Sequence, residues 1–212
     1  MVRCIPLLWS CVRGALYPQG GLKKGVCKGH QTYSPQLSHY FSFTTDTVFR
    51  LPTKYQLLRP LGKGAYGVVI ACKNVQTGSK VAVKKISPMC ASTTDGKHTL
   101  RELRLCRHLG RHDNIISLKD IVVDIPEDTI YLVMKLYDTD LHKIIQSPQP
   151  LGDAHLKHFL YQLLRGLKFA HSYQIIHRDL KPANLVRFLR AGKEGFIGPL
   201  SFLPCDTVCC VS

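Results

Sequence analysis

The stretch LGKGAYGVV, residues 61–69, spaces Gly62, Gly64 and Gly67 as G-x-G-x-x-G, with strand-like sequence on both sides. A dinucleotide-binding fold puts such glycines between a strand and a helix, so in this context a glycine hairpin over phosphates is the better account. Glycine brings backbone close to a polyphosphate with no Cβ in the way, and Val69 would offer a base an apolar surface. An ordinary hairpin turn fits the same spacing, so other residues have to decide.

YQLLRPL, GVVIACKNV and KVAVKKI are rich in residues that suit a half-buried pleated surface, and GKG and QTGS punctuate them. KHTLRELRLCRHLG reads as a helix ending at Gly110, followed by the strands NIISLKDIVV and TIYLVMKLY with IPED as the turn between them. LGDAHLKHFLYQLLRGLKFAHS sets Leu156, Phe159, Leu160, Leu163, Leu164 and Leu167 at helical spacing, with Asp153 as its N-cap. The fold class expected is α+β: five strands in an antiparallel sheet with one intervening helix, then a long helix.

The 212 residues suffice for one core of ordinary size or two small ones. Residues 1–52 read as a disordered basic extension, because residues 1–50 carry six basic residues against one acid, Asp46, and show no sustained period. The start, MVRCIPLLWSCVRGAL, has pieces of a targeting segment, but its apolar run is short and broken. The formal net charge of +15 is spread along the chain and contains no arginine-rich tract, so no nucleic-acid partner is expected. Nine cysteines without a C-x-x-C pair fit reduced thiols in a cytoplasmic protein, with the nucleus as a second compartment. No run approaches the roughly 18–20 apolar residues of a membrane-spanning helix, so a soluble chain is expected.

Lys84 closes VAVK on the inward face of the third strand, and an ammonium among Val81, Ala82 and Val83 needs an anionic partner. Glu102 is a candidate: with Leu105, Cys106 and Leu109 it occupies i, i+3, i+4 and i+7 of the helix, so it points with the apolar stripe. A snorkelling Lys84 and a surface Glu102 are the plain alternative. After the long helix comes HRDLKPANLV, residues 177–186. There Asp179 could accept a hydroxyl proton, Lys181 could neutralise charge on a moving phosphoryl group, and Asn184 could hold a metal ion. In this set of signatures the chain resembles the eukaryotic protein kinase family over roughly Thr53–Val186, and Lys181 two places after Asp179 is similar to the serine/threonine kinases.

LGKGAYGVVIACKN, VAVKKI, LRELRLCRHL, YDTDLHKIIQSPQPL and FLYQLLRGLKFAHS resemble the mitogen-activated protein kinases, within the extracellular-signal-regulated branch. That resemblance implies a complete small lobe, the first part of a helical large lobe, and ATP between them. The glycine loop, Leu61, Gly62, Lys63, Gly64, Ala65, Tyr66, Gly67, Val68 and Val69, would cover the nucleotide. Backbone groups of Lys135 to Tyr137 would hold adenine beside Met134 as gatekeeper, with Asp140 near the ribose. The resemblance further implies that Lys84 binds the α- and β-phosphates, Glu102 orients Lys84, Asp179 is the catalytic base with Lys181 beside it, and Asn184 coordinates Mg²⁺. The implied activity is transfer of the ATP γ-phosphate to Ser or Thr of protein substrates in intracellular signalling, under an upstream kinase.

Family members carry an Asp-Phe-Gly motif about a dozen residues after the metal-binding Asn, where this sequence has EGFIGPL. The activation segment with its Thr-x-Tyr motif, the Ala-Pro-Glu motif, and the remaining large-lobe helices with their docking surfaces have no counterpart in residues 187–212. Those residues are expected to be a tail foreign to the family, unable to substitute for the missing parts. The expectation is a kinase domain over residues 53–186, truncated after its catalytic loop. Three readings stay open: an active fragment, an inactive nucleotide-binding fragment or decoy, and a truncated or misread gene product. An uncovered apolar stripe on the long helix also implies chaperone association.

The final residues, Cys209, Cys210, Val211 and Ser212, fit a C-a-a-X prenylation box whose terminal Ser favours farnesyl, with Cys205 close by. One lipid chain anchors only marginally, and residues 191–212 hold just Lys193, Glu194 and Asp206 as charges, so no polybasic cluster supplements it. Membrane attachment is therefore not expected. Farnesyltransferase with labelled farnesyl diphosphate should leave the native chain and Cys209→Ser equally unlabelled, and a label lost in the variant would overturn this.

Overall fold

Apolar alternation over residues 55–86 becomes three antiparallel strands: β3 (Tyr55–Gly64), β4 (Gly67–Asn74) and β5 (Lys80–Ile86). Two earlier strands, β1 (Leu37–Ser42) and β2 (Thr47–Pro52), precede them. The structure, a computed structural model, describes residues 37–42, 47–64, 67–89, 93–187, 200–202 and 209–210. The chain divides into two compact units, Met1–Leu100 with Ile121–Val133, and Arg101–Asp120 with Met134–Ser212.

The main sheet adds β6 (Leu118–Asp124) and β7 (Thr129–Lys135) in the order β3-β4-β5-β7-β6, the five strands expected. Period-two alternation sends Val68, Ile70, Cys72, Val81 and Val83 to one face, where they form a buried cluster with Tyr55, Val122, Tyr131 and Val133. Val69 and Lys84 are cross-strand partners on the opposite face, and Gly62 pairs with Val69. Lys84 thus lies in a row with Gly62 and Val69 and shares its face with Ala82, while Val81 and Val83 point away from it. Turn residues act as their chemistry dictates. Asn74 Oδ1 accepts from the amides of Gln76 (3.0 Å) and Thr77 (3.2 Å), and Asp128, in the IPED turn, has φ 44°.

Residues 37–42 and 47–52, expected to be disordered, instead form two antiparallel paired strands, with Leu37 opposite Pro52 and Ser42 opposite Thr47. Phe49 and Leu51 are fully buried in the cluster under the sheet. Polar ties reinforce the apolar contact. Lys85 Nζ donates to Val48 O at 2.7 Å, the Arg50 amide donates to the Tyr131 hydroxyl at 2.9 Å, and Arg50 pairs with Glu127. Burial lowers the Lys85 ammonium pKa, an effect that nearby Glu127 and Asp124 oppose. Burial likewise pushes the Cys72 thiol up to about 12, so that group stays a neutral part of the core. The expected disorder of residues 1–36 falls outside the described residues.

Helix α1 (Thr93–Leu109) starts four residues before the expected Lys97, since Thr and Asp suit a first turn and Gly96 is tolerated there. It ends where expected: a Cβ at Gly110 would lie 2.5 Å from Cys106 O. In the second unit, Leu105 and Leu109 of α1 join Ile115, Phe159, Ala170, Ile175 and Leu185 in a separate buried cluster. Helices α2 (Leu141–Gln146) and α3 (Asp153–Ser172) frame it. Gly152, not Asp153, is the N-cap of α3; its amide donates to His155 Nδ1 at 3.3 Å, and Asp153 sits in the first turn. The expected stripe divides: Phe159 is buried, Leu163 and Leu167 pack on the cluster, and Leu156, Leu160 and Leu164 are half exposed. No helix among the described residues is long and apolar enough to cross a membrane.

Short strands complete this unit. β8 (Thr139–Asp140), β10 (Leu185–Arg187) and β11 (Leu200–Phe202) form one sheet with β10 in the centre, and β9 (Ile175–Ile176) pairs with β12 (Cys209–Cys210). Residues 187–212 are expected to be a tail foreign to the family, and from that tail β11 and β12 each pair with a strand of the domain. Cys209 stands opposite Ile176.

Two substitutions check this account. Phe49→Ala should cost about 3–5 kcal/mol and lower the melting temperature, and an unchanged melting curve would remove β2 from the core. Gly67 has φ +132°, and a Cβ there would meet Lys85 O at 2.0 Å, whereas Gly62 has nothing within 4 Å. In urea denaturation Gly67→Ala should lose at least about 1–3 kcal/mol, with Gly62→Ala within about 0.5 kcal/mol of the native chain. Equal losses would contradict this geometry.

Candidate active site

In the first unit the candidate residues stand on β3, β4 and β5. β3 carries register irregularities between Leu57 and Arg59 and between Pro60 and Gly62, and Leu61 stands at the second of them, without a Cα partner on β4. Gly64 pairs with Gly67, and the expected loop residues between them, Ala65 and Tyr66, lie outside the described residues. Lys63 is exposed, and Val68 points into the core, away from the row of Gly62, Val69 and Lys84. Glu102 lies on α1, but its side chain is also outside those described.

In the second unit, the loop between β9 and β10 carries the remaining candidates. His177 is buried, and its Nδ1 accepts from the Asp179 amide at 3.3 Å. Arg178 adopts φ 64°, a left-handed turn that costs a non-glycine residue energy and redirects the chain toward Asp179. Asn184 Nδ2 donates to both the backbone carbonyl (2.8 Å) and the carboxylate Oδ2 (3.0 Å) of Asp179. Lys181 Nζ lies 3.0 Å from the same Oδ2. The 3-10 turn Pro182–Asn184, whose last amide returns to Lys181 O at 2.9 Å, holds these three side chains together. Asp179, Lys181 and Asn184 therefore form one constellation, and with its amide nitrogen held by Asp179, Asn184 has Oδ1 as the atom suited to a cation.

Asp140 does a job that sequence reading did not assign to it. Its Oδ1 accepts from the Lys143 amide at 2.9 Å as the N-cap of α2, and its Oδ2 lies 3.0 Å from Lys143 Nζ. Met134 is buried at the end of β7. Burial raises the Tyr137 phenol pKa, and the phenol hydrogen-bonds the Ser201 side chain. Ser201 itself is 1% exposed and donates to Asp113 O at 3.0 Å. Nothing in the sequence marks this serine, which stands alone in a segment without period. Arg187 was likewise unmarked. Its guanidinium is buried 4.6 Å from the Phe159 ring centroid, and burial lowers its pKa to about 10.

Comparison with known proteins fits this geometry. The protein kinase domain family matches residues 55–191. The chain is 50% identical over 154 residues to mitogen-activated protein kinase 3 of rice and to mitogen-activated protein kinase 7 of Arabidopsis thaliana, covering 71% of this chain and 41% of each relative. It is 49% identical over 147 residues to extracellular signal-regulated kinase 1 of Dictyostelium discoideum, covering 68% of this chain and 28% of that protein. The chain thus spans about two-fifths or less of the length of these relatives. With the family match covering more than half of its residues, the chain belongs to the protein kinases, in their mitogen-activated group.

Proposed function

We propose that this chain carries the nucleotide-binding strands and the catalytic loop of a serine/threonine protein kinase that takes ATP with Mg²⁺. The observation that carries the reading is the Asp179, Lys181 and Asn184 constellation, joined within hydrogen-bonding distance in one loop. The strand register supports it independently, because Gly62, Val69 and Lys84 share one face. Open space at Gly62 leaves its backbone accessible to a phosphate, and Lys84 two strands away adds a cation to the same row.

The donor set fits the nucleotide and the ion. Gly62, Gly64 and Gly67 would line the phosphates, with Leu61, Lys63, Ala65, Tyr66, Val68 and Val69 completing the loop. Lys84 would bind the α- and β-phosphates, held by Glu102. Tyr137 would lie at the adenine. Asp140 would reach the ribose from its capping position, and Asn184 Oδ1 would face the metal. ATP would supply the γ-phosphoryl group, and the ion would neutralise its charge. Asp179 would take the proton of a substrate Ser or Thr hydroxyl on its carboxylate, and Lys181, 3.0 Å from Oδ2, would place its ammonium beside the transferring group. Protein substrates and an upstream kinase follow from the resemblance as part of the same proposal, and a cytoplasmic setting, with the nucleus as a second compartment, from the cysteine usage. Chaperone association follows from the half-exposed Leu156, Leu160 and Leu164.

Calorimetric titration of the full chain tests the reading. We expect weak ATP binding with little dependence on Mg²⁺, lost in Lys84→Met. Absence of binding at millimolar ATP would overturn the nucleotide site. Tight, strictly Mg²⁺-dependent binding would overturn the view that Asn184 acts without a second metal ligand from this chain.

A further inference from the structure

The C-terminal segment and the catalytic loop are tied together at both ends of the loop. β9 runs directly into His177, and β10 starts directly after Asn184. β12 pairs with the first and β11 with the second. β10, the central strand of its sheet, has β8 on its other side, and Val186 stands opposite both Asp140 and Ser201. One row across three strands therefore holds the capping Asp140, the residue two places after Asn184, and Ser201.

Ser201 reaches further than its strand. Its hydroxyl donates to Asp113 O at 3.0 Å, in the loop after α1, and also hydrogen-bonds Tyr137. Asp113 is itself paired with Arg165 of α3 at 3.6 Å. The neighbouring Asp138 amide donates to Arg187 O at 3.0 Å, so the segment 137–140 is fastened to β10 by its own backbone and to β11 through Tyr137. A hydroxyl that is 1% exposed and serves two partners ties both to β11, and losing it takes a hydrogen-bond partner from each.

We propose that Ser201 is a positioning residue: through Tyr137 and β10 it holds the segment 137–140 and the loop 177–184 in one arrangement, so that the tail supports the nucleotide site. This rests on the nucleotide reading above. The class of ligand served is an adenine nucleotide, whose base and ribose the 137–140 segment would meet.

Amide hydrogen exchange on the full native chain is the first measurement, and needs no variant. Residues 200–202 should exchange more slowly than an unstructured peptide, and exchange at unstructured rates would overturn the proposal. In Ser201→Ala, which keeps the strand and removes the hydroxyl, exchange at 137–140 and 185–187 should rise about fivefold, and affinity for a non-hydrolysable ATP analogue should fall about as much. Unchanged exchange in both segments would overturn the proposal. So would faster exchange at unaltered affinity, which would leave β11 as packing alone. Combining Ser201→Ala with Tyr137→Phe separates the routes: action through Tyr137 makes the two losses of affinity less than additive, and strict additivity would refute it. If the native chain binds no nucleotide, the functional reading falls, while the exchange comparison still decides whether Ser201 holds these segments.

Discussion

The pairing register of β4 with β5 is the constraint on which the first unit depends. Val69 opposite Lys84 puts one valine and one lysine on the same face, and leaves Val68, Ile70, Val81 and Val83 to build the core on the other. Because side chains alternate strictly along a strand, a slip of one residue would exchange these sets and bury Lys84 under the sheet. The next residue, Lys85, shows what burial on that side demands. It lies on the core face and needs Val48 O at 2.7 Å, with Glu127 and Asp124 nearby. Two adjacent lysines thus have opposite tasks, set by nothing but strand parity.

In the second unit the organising element is β10, three residues long. Its first residue, Leu185, packs in the cluster, and its last, Arg187, lies buried against Phe159 of α3. Aromatic contacts join α3 to the residues around the end of α1: His112 stacks on Phe169 with ring centroids 4.8 Å apart, and His108 meets Tyr173 edge-on at 4.6 Å. His112 Nδ1 accepts the Asn114 amide at 3.1 Å, and burial, aided by Arg165, lowers the imidazole pKa. The ring is thereby kept in the neutral form this bond requires. The loop of Asp179 and Asn184 is held on a frame made mainly of hydrophobic and aromatic contacts, with few ionic ones.

Legibility followed the range of the signal. The five strands and the long helix were plain, since alternation and helical spacing are local and repeat over many residues, and HRDLKPANLV carries its chemistry within ten consecutive positions. The β1–β2 pair was hidden: Phe49 and Leu51 are two apolar residues in a stretch whose basic, Ser- and Thr-rich surroundings imply a solvated chain. Only the cluster they enter explains them. The N-cap of α3 was misplaced by one residue, because Gly152 caps through its backbone and through His155, whereas Asp153 carries the usual capping side chain. Ser201 and the strands around it were illegible for a different reason. Three-residue strands have too few positions to show a period, and their partners lie far away in the chain.

The β1–β2 pair also separates two meanings of the word domain. Family resemblance begins at residue 55. The buried core begins earlier, because Phe49 and Leu51 are fully buried in the cluster under the sheet, and the Tyr131 hydroxyl accepts from the Arg50 amide. Cutting at the edge of the resemblance would remove part of a core. Residues 48–51 are therefore held by volume and by a few polar contacts, although the family match does not reach them.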